Sequence, residues 1–146
     1  MPTTLAFVDT NVLLYAVSTN PSEAEKRRVA REILAAGQIG FSTQVAQEFF
    51  VNATRKLKPP LSGDDALKFL QKLLTSQIVD LDFALFQEAV KVHGRFQISY
   101  WDAAIVAAAK RLGATKLYSE DLTDGQNFDG VQVVNPFRVG FTVGSK

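Results

Sequence analysis

The sequence predicts an α/β fold built on a parallel sheet. Three observations point there. Short apolar runs of strand length recur along the chain, and segments of helical period separate them. Strands joined by such long crossovers pair in parallel, since an antiparallel pair needs only a hairpin. Acidic residues stand where these runs end and helices begin, which is where open α/β sheets bind ligands. The chain has 146 residues, 47% of them hydrophobic and 21% charged, which suits one soluble domain with a single core.

The elements follow in order. Leu5–Val8 reads as a strand, and a short helix can start from Asn11. Ser22 and Glu25 form a capping box that opens a helix ending near Gly37. Ile39–Ser42 is a second strand. A helix from Thr43 to about Lys58 is stopped by Pro59-Pro60. Ser62 opens a helix to about Leu74, Ile78–Leu81 is a third strand, and Asp82 caps a helix ended by Gly94. Ser99 starts a helix to Leu112, closed by Gly113. Lys116–Tyr118 and Val131–Val134 are the fourth and fifth strands, and residues 119–130 between them read as a loop. A single domain over 1–137 is expected, followed by a tail over 138–146 of unassigned structure. No repeat or linker marks a second domain.

Composition excludes much chemistry. The chain has no cysteine, which removes disulfides, thiol catalysis and cysteine-bound zinc. Its one histidine, His93, precedes Gly94 at an expected helix end, where a cationic or donor side chain suits the dipole. A multi-histidine zinc site is impossible, while a Ser-His-Asp triad would need only this one histidine; if the chain is an enzyme, carboxylates are expected to carry the chemistry. The apolar run Ala103–Ala109 is too short to span a bilayer. The N-terminus MPTTLAFVDT lacks the basic start of a signal peptide, so no membrane partner and a cytoplasmic location are expected. Net charge is +1. The basic groups Lys26, Arg27, Arg28, Arg31 and Arg55, Lys56, Lys58 read first as solvated helix faces, with polyanion binding as the other option.

Three carboxylates stand out. Asp9 ends the first strand, and Asp121 follows the fourth by three residues. Asp102 lies in the first turn of a helix apolar nearly all round, and a charge so placed calls for a partner. Each has a plain alternative as a cap or turn residue; three at one sheet end together weaken those alternatives. Glu48, in the helix segment QEFF, falls outside the apolar arc of Val45, Ala46, Phe49, Phe50 and Ala53, so periodicity predicts exposure or a cleft edge. Clustered oxygen donors suit Mg²⁺ or Mn²⁺, and such ions can drive phosphodiester cleavage.

The stretches FVDTNVLLYA, QEFF, ISYWDAAIVAAA and LYSEDLTDGQNFDGVQVVNPF, in this order and spacing, resemble the successive motifs of PIN-domain ribonucleases. The match spans roughly residues 5–137, and within the family the chain is most similar to VapC-type toxins of toxin–antitoxin pairs. The resemblance implies a flavodoxin-like three-layer α/β/α sandwich with a five-stranded parallel sheet. It implies a Mg²⁺- or Mn²⁺-dependent endoribonuclease whose catalytic and metal-binding quartet is Asp9, Glu48, Asp102 and Asp121. Asn11 and Ser119 match supporting residues, and Asp124 is a further possible ligand. An RNA substrate, a cognate antitoxin and a homodimer are implied as partners. RNA processing without a toxin role and a non-catalytic RNA- or protein-binding PIN domain are the alternatives. An aspartyl-phosphate mechanism is disfavoured, because the position two after Asp9 is Asn11 where haloacid-dehalogenase-like phosphatases place a second Asp.

Overall fold

The structure is a computed structural model that describes residues 5–73 and 76–143. β1 (Ala6–Val8) leads through α1 (Thr10–Val17), a one-turn 3-10 helix (Pro21–Glu23) and α2 (Ala24–Ala36) to β2 (Ile39–Ser42). α3 (Thr43–Arg55) and α4 (Gly63–Lys72) precede β3 (Gln77–Val79). α5 (Phe83–Phe96) and α6 (Tyr100–Leu112) precede β4 (Lys116–Tyr118), and β5 (Asn127–Phe128) and β6 (Val131–Val134) close the sheet.

The strand order is β3-β2-β1-β4-β6-β5. The first five in that order run parallel, and β5 alone pairs antiparallel, with β6. The expected parallel sheet is present with a sixth, two-residue strand added at its edge. So short a strand shows no alternation, which is why its stretch reads as a loop. Asp129 and Gly130 turn the hairpin at φ 54° and 107°, and the Asn127 side chain accepts the Gly130 N–H at 2.7 Å.

The chain walks outward from β1 to β3, then crosses back to β4. Right-handed crossovers in opposite directions put α1–α4 on one face and α5–α6 on the other. The connection leaving β1 heads toward β2, and that leaving β4 heads toward β6. This divergence opens a crevice at the carboxyl ends of β1 and β4.

α6 lies across β1, β2, β3, β4 and β6, and α5 covers it. Ala103–Ala109 are all buried, so short side chains let this helix sit close to the sheet. Gly40 in β2 leaves no room for a side chain under the end of α6. A Cβ there would stand 2.5 Å from Leu112 Cδ2 and 2.7 Å from the Gln77 carbonyl oxygen. On the other face Phe7, Val12, Leu13, Ile33, Val45 and Phe49 fill the core.

Four helix starts follow the sequence closely. Ser42, Ser62, Asp82 and Ser99 accept the backbone N–H of Val45, Asp65, Leu85 and Asp102. The capping box at Ser22 and Glu25 does not form. Pro21 starts the 3-10 turn one residue earlier, Asn20 caps it by accepting the Ser22 N–H, and Glu25 turns to Arg28. α5 runs through Gly94 and stops at Gln97, which takes φ 55°; a glycine inside a helix costs only about 1 kcal/mol. His93 Nδ1 sits 2.6 Å from the Ile98 carbonyl oxygen, in the expected role at a helix end. α3 ends at Arg55, ahead of the two prolines. The expected end of α4 near Leu74 lies outside the described residues.

The first basic group lies on a solvated helix face, as expected, and finds its partners within the chain. Arg27 and Arg31 donate to the Ser18 and Ala16 carbonyls at 3.0 and 2.9 Å, neutralising the negative end of α1. Arg28 pairs with Glu25 and Glu32, and Lys26 with Glu120. The tail also packs. Phe137 meets the Tyr15 ring edge-on at 4.7 Å, and buried Phe141 meets Tyr118 at 5.9 Å.

Candidate active site

Asp9 follows β1 directly and is the N-cap of α1. Its Oδ1 accepts the Thr10 N–H and its Oδ2 accepts the Ser119 hydroxyl, both at 2.8 Å. The residue is buried at 7% exposure. Burial therefore pushes its carboxyl up from 3.8 to about 6, with the Ser119 and Thr10 hydrogen bonds opposing and the charges of Asp121 and Glu48 adding to the rise. Two negative neighbours around a buried acid are the reverse of a stabilising ion pair.

Ser119 follows β4 and is fully buried. While donating to Asp9, its hydroxyl oxygen accepts the backbone N–H groups of Asp121 and Leu122 at 3.2 and 3.3 Å. One hydroxyl thus fixes the acid on β1 and the turn carrying Asp121. Asn11 spans the same gap. Its amide donates to Asp121 Oδ2 at 3.2 Å and its Oδ1 accepts the Glu120 N–H at 3.3 Å. The resemblance has Asn11 steadying Asp9; in the structure Asn11 instead holds Asp121, and Ser119 is the residue bonded to Asp9.

Glu48 reaches this group from α3. The Thr10 hydroxyl donates to its Oε2 at 2.9 Å, and Gln44 donates to its Oε1 at 2.8 Å. Glu48 is half-buried, as the helix wheel allows for a cleft edge, and its charge lies close enough to Asp9 to be felt there. Gln44 also donates to the Trp101 carbonyl at 3.3 Å, which ties α3 to the first turn of α6. Asp102 stands there, half-buried, with its own N–H bonded to Ser99. Its carboxylate has no hydrogen-bond or ion-pair partner among the described residues, contrary to the expectation of one.

The structure therefore brings Asp9, Glu48 and Asp121 into one electrostatic unit, to which Asp102 is joined by no hydrogen bond among the described residues. Asp124 is engaged elsewhere, accepting the Asn135 N–H at 2.8 Å and pairing with Arg138 at 3.2 Å. Among the described residues no three acidic or histidine side chains form a ready chelating group. The donor set itself fits a hard divalent cation. Every donor is oxygen, and a cation would offset the repulsion that Asp9 carries.

Thr10 and Gln44 are missed by the sequence reading. Gln44 lies one helical turn before Glu48, a spacing at which side chains meet, and that pattern could have revealed it. Thr10 gives no signal beyond its neighbourhood to Asp9.

The PIN domain model matches residues 6–123. The chain belongs to the PIN-domain family. Solved structures with this PIN fold include a toxin–antitoxin complex from Klebsiella pneumoniae, at 22% identity and a TM-score of 0.67, covering 92% of this chain and 99% of that one. Another is VapC20 of Mycobacterium tuberculosis, described as a sarcin-ricin loop cleaving toxin, at 16% identity and TM-score 0.63, covering 80% and 89%. VapBC2 from Rickettsia felis, bound to promoter DNA, matches at 14% identity and TM-score 0.60, covering 88% and 96%. No curated protein matches the sequence significantly. At these identities the likeness establishes the fold.

Proposed function

We propose that this PIN domain is a Mg²⁺- or Mn²⁺-dependent endoribonuclease and the toxin of a toxin–antitoxin pair. The observation that carries the reading is the buried Asp9, set in the crevice between β1 and β4 with Asp121 and Glu48 raising its pKa. A carboxylate buried as deeply as Asp9, with two acids added beside it, is costly to ionise unless a cation joins it. Asp9, Glu48 and Asp121 would hold it, with the unpartnered Asp102 completing the set. The cation supplies an activated water and charge neutralisation for phosphodiester cleavage.

The chain's own residues have separate tasks. Ser119 and Asn11 orient Asp9 and Asp121. Thr10 and Gln44 hold both oxygens of Glu48, so its carboxylate stays at the cleft edge. The RNA backbone approaches a site that is acidic until a metal fills it, which makes metal binding a precondition for RNA binding. The toxin assignment rests on the PIN domain and the fold shared with toxin–antitoxin structures, which also supports an antitoxin partner; a homodimer is what the family resemblance implies, and action in the cytoplasm follows from the reading of the sequence.

The test is cleavage of a mixed RNA substrate by purified protein with Mn²⁺, with EDTA, and after Mn²⁺ is restored. Cleavage is expected only in the first and third conditions. Undiminished cleavage in EDTA overturns the metal role, and intact RNA in all three overturns the nuclease.

A further inference from the structure

Two carboxylates follow Ser119 in succession, Glu120 and Asp121. Asp121 turns toward the crevice, where its Oδ2 accepts the Asn11 amide at 3.2 Å. Glu120 is held elsewhere. Lys26 of α2 pairs with its Oε2 at 2.7 Å, and the Tyr15 hydroxyl of α1 donates to its Oε1 at 2.5 Å. Lys26 also donates to the Tyr15 oxygen at 3.2 Å. Its ammonium lies 4.8 Å from the centre of the Tyr15 ring and 6.0 Å from that of Phe137. Phe137 in turn packs edge-on against Tyr15.

We propose that Lys26 and Tyr15 form a clamp that seizes Glu120, so that Asp121 and not Glu120 supplies the carboxylate beside Asp9. They are positioning residues, and the proposal rests on the metal-site reading above. The reasoning is electrostatic. The Glu120 N–H is bonded to Asn11, the residue that also holds Asp121. A freed Glu120 side chain therefore starts from within the site's own scaffold. It would bring one more negative charge to a crevice already overloaded with them. Lys26 cancels that charge and fixes it in place. The pair is partly exposed, with side-chain exposures of 39% and 26%. Ion pairs of this kind add little to stability, so the effect belongs to the site rather than to the fold.

Glu120 in the crevice adds ligand charge, and added ligand charge tightens divalent-cation binding. It also repels RNA and misplaces the cation. The clamp therefore predicts opposite signs for two readouts. Lys26→Met should lower the Mn²⁺ concentration for half-maximal thermal stabilisation about threefold, and lower RNA cleavage about tenfold or more. Glu120→Gln alone should leave both within about twofold, and adding it to Lys26→Met should restore both. Tyr15→Phe should move both in the same directions by less. A third readout needs no metal. Amide hydrogen exchange at Glu120 and Asp121 should quicken about tenfold in metal-free Lys26→Met, with other segments unchanged.

Weaker Mn²⁺ binding in Lys26→Met, or failure of Glu120→Gln to restore cleavage, overturns the clamp. So does unchanged exchange at the two amides. A wild-type protein that neither binds Mn²⁺ nor cleaves RNA overturns the metal-site reading instead. The exchange experiment then still decides whether Lys26 holds the loop.

Discussion

Asp9 and Asp82 do the same local job under opposite conditions. Each caps a helix and accepts a backbone N–H, Asp9 from Thr10 and Asp82 from Leu85. Asp82 is exposed and paired with Arg111 at 2.8 Å, which holds its carboxyl below the ordinary carboxylate range, with the Leu85 N–H helping. Asp9 is buried, has no cation beside it, and is pushed up to about 6. The difference teaches where structure ends and chemistry begins. A cap whose charge is satisfied serves the helix. A buried cap with no cation beside it among the described residues, next to two more acids, fits the cation site proposed above.

Asp9→Asn breaks this contrast most sharply. It should cut RNA cleavage by more than about a hundredfold. It should also raise metal-free stability at pH 7. The shift from 3.8 to about 6 corresponds to roughly 3 kcal/mol, and Asn forfeits part of that because it has one oxygen to offer Thr10 and Ser119. A net gain of about 1–2 kcal/mol by urea unfolding in EDTA is expected; a loss of stability would mean that Asp9 is only a cap.

The pH profile sharpens the same point. The folded state keeps a proton on Asp9 that the unfolded chain has lost between pH 3.8 and about 6. Its contribution to stability is full below that range and is lost as pH rises through it. In EDTA, wild-type protein should show this fall relative to Asp9→Asn, and added Mn²⁺ should remove it. Asp82 carries the opposite sign. Its lowered pKa gives stability that is present above the usual aspartate range and lost as pH falls through the lowered value.

Glu48→Gln is expected to be intermediate. It should shrink the thermal shift produced by Mn²⁺ and reduce cleavage, with little change in metal-free stability. An unaltered Mn²⁺ shift would return Glu48 to the role of a hydrogen-bond acceptor for Thr10. Asp82→Asn should have the smallest effect: a slightly lower Tm, lost pH dependence in the acid range, and unchanged cleavage. Impaired cleavage would erase the distinction between the two caps.

The fold was legible because its signals are local and repeated. Ser42, Ser62, Asp82 and Ser99 announce helix starts through side chains that cap their own chain. β5 was not legible, since two residues carry no period. The false capping box at Ser22 shows that a proline one position earlier outweighs a pattern match. In the site, Asp9 and Asp121 stood out as charges just after strands, and Asp102 as a charge in an apolar helix. Glu48 entered through the family resemblance, because periodicity alone left it at an edge. Gln44, Tyr15 and Lys26 stayed hidden. Their partners lie across the fold, such as Glu120 at 94 positions from Lys26, and no single-chain pattern encodes such a meeting.

The seating of α6 against Gly40 has a consequence for anyone redesigning this protein. Its buried run Ala103–Ala109 is mostly alanine and has few long side chains that could repack if the helix were moved. Gly40→Ala already exceeds the room there, with a Cβ 2.5 Å from Leu112 Cδ2 at the end of α6 and 2.7 Å from the Gln77 carbonyl oxygen of the neighbouring strand. The location of Asp102, carried in the first turn of that helix, is therefore an inheritance of the seam. Relocating that carboxylate by even an ångström would mean recutting the joint between α6 and β2, far along the helix from the residue itself.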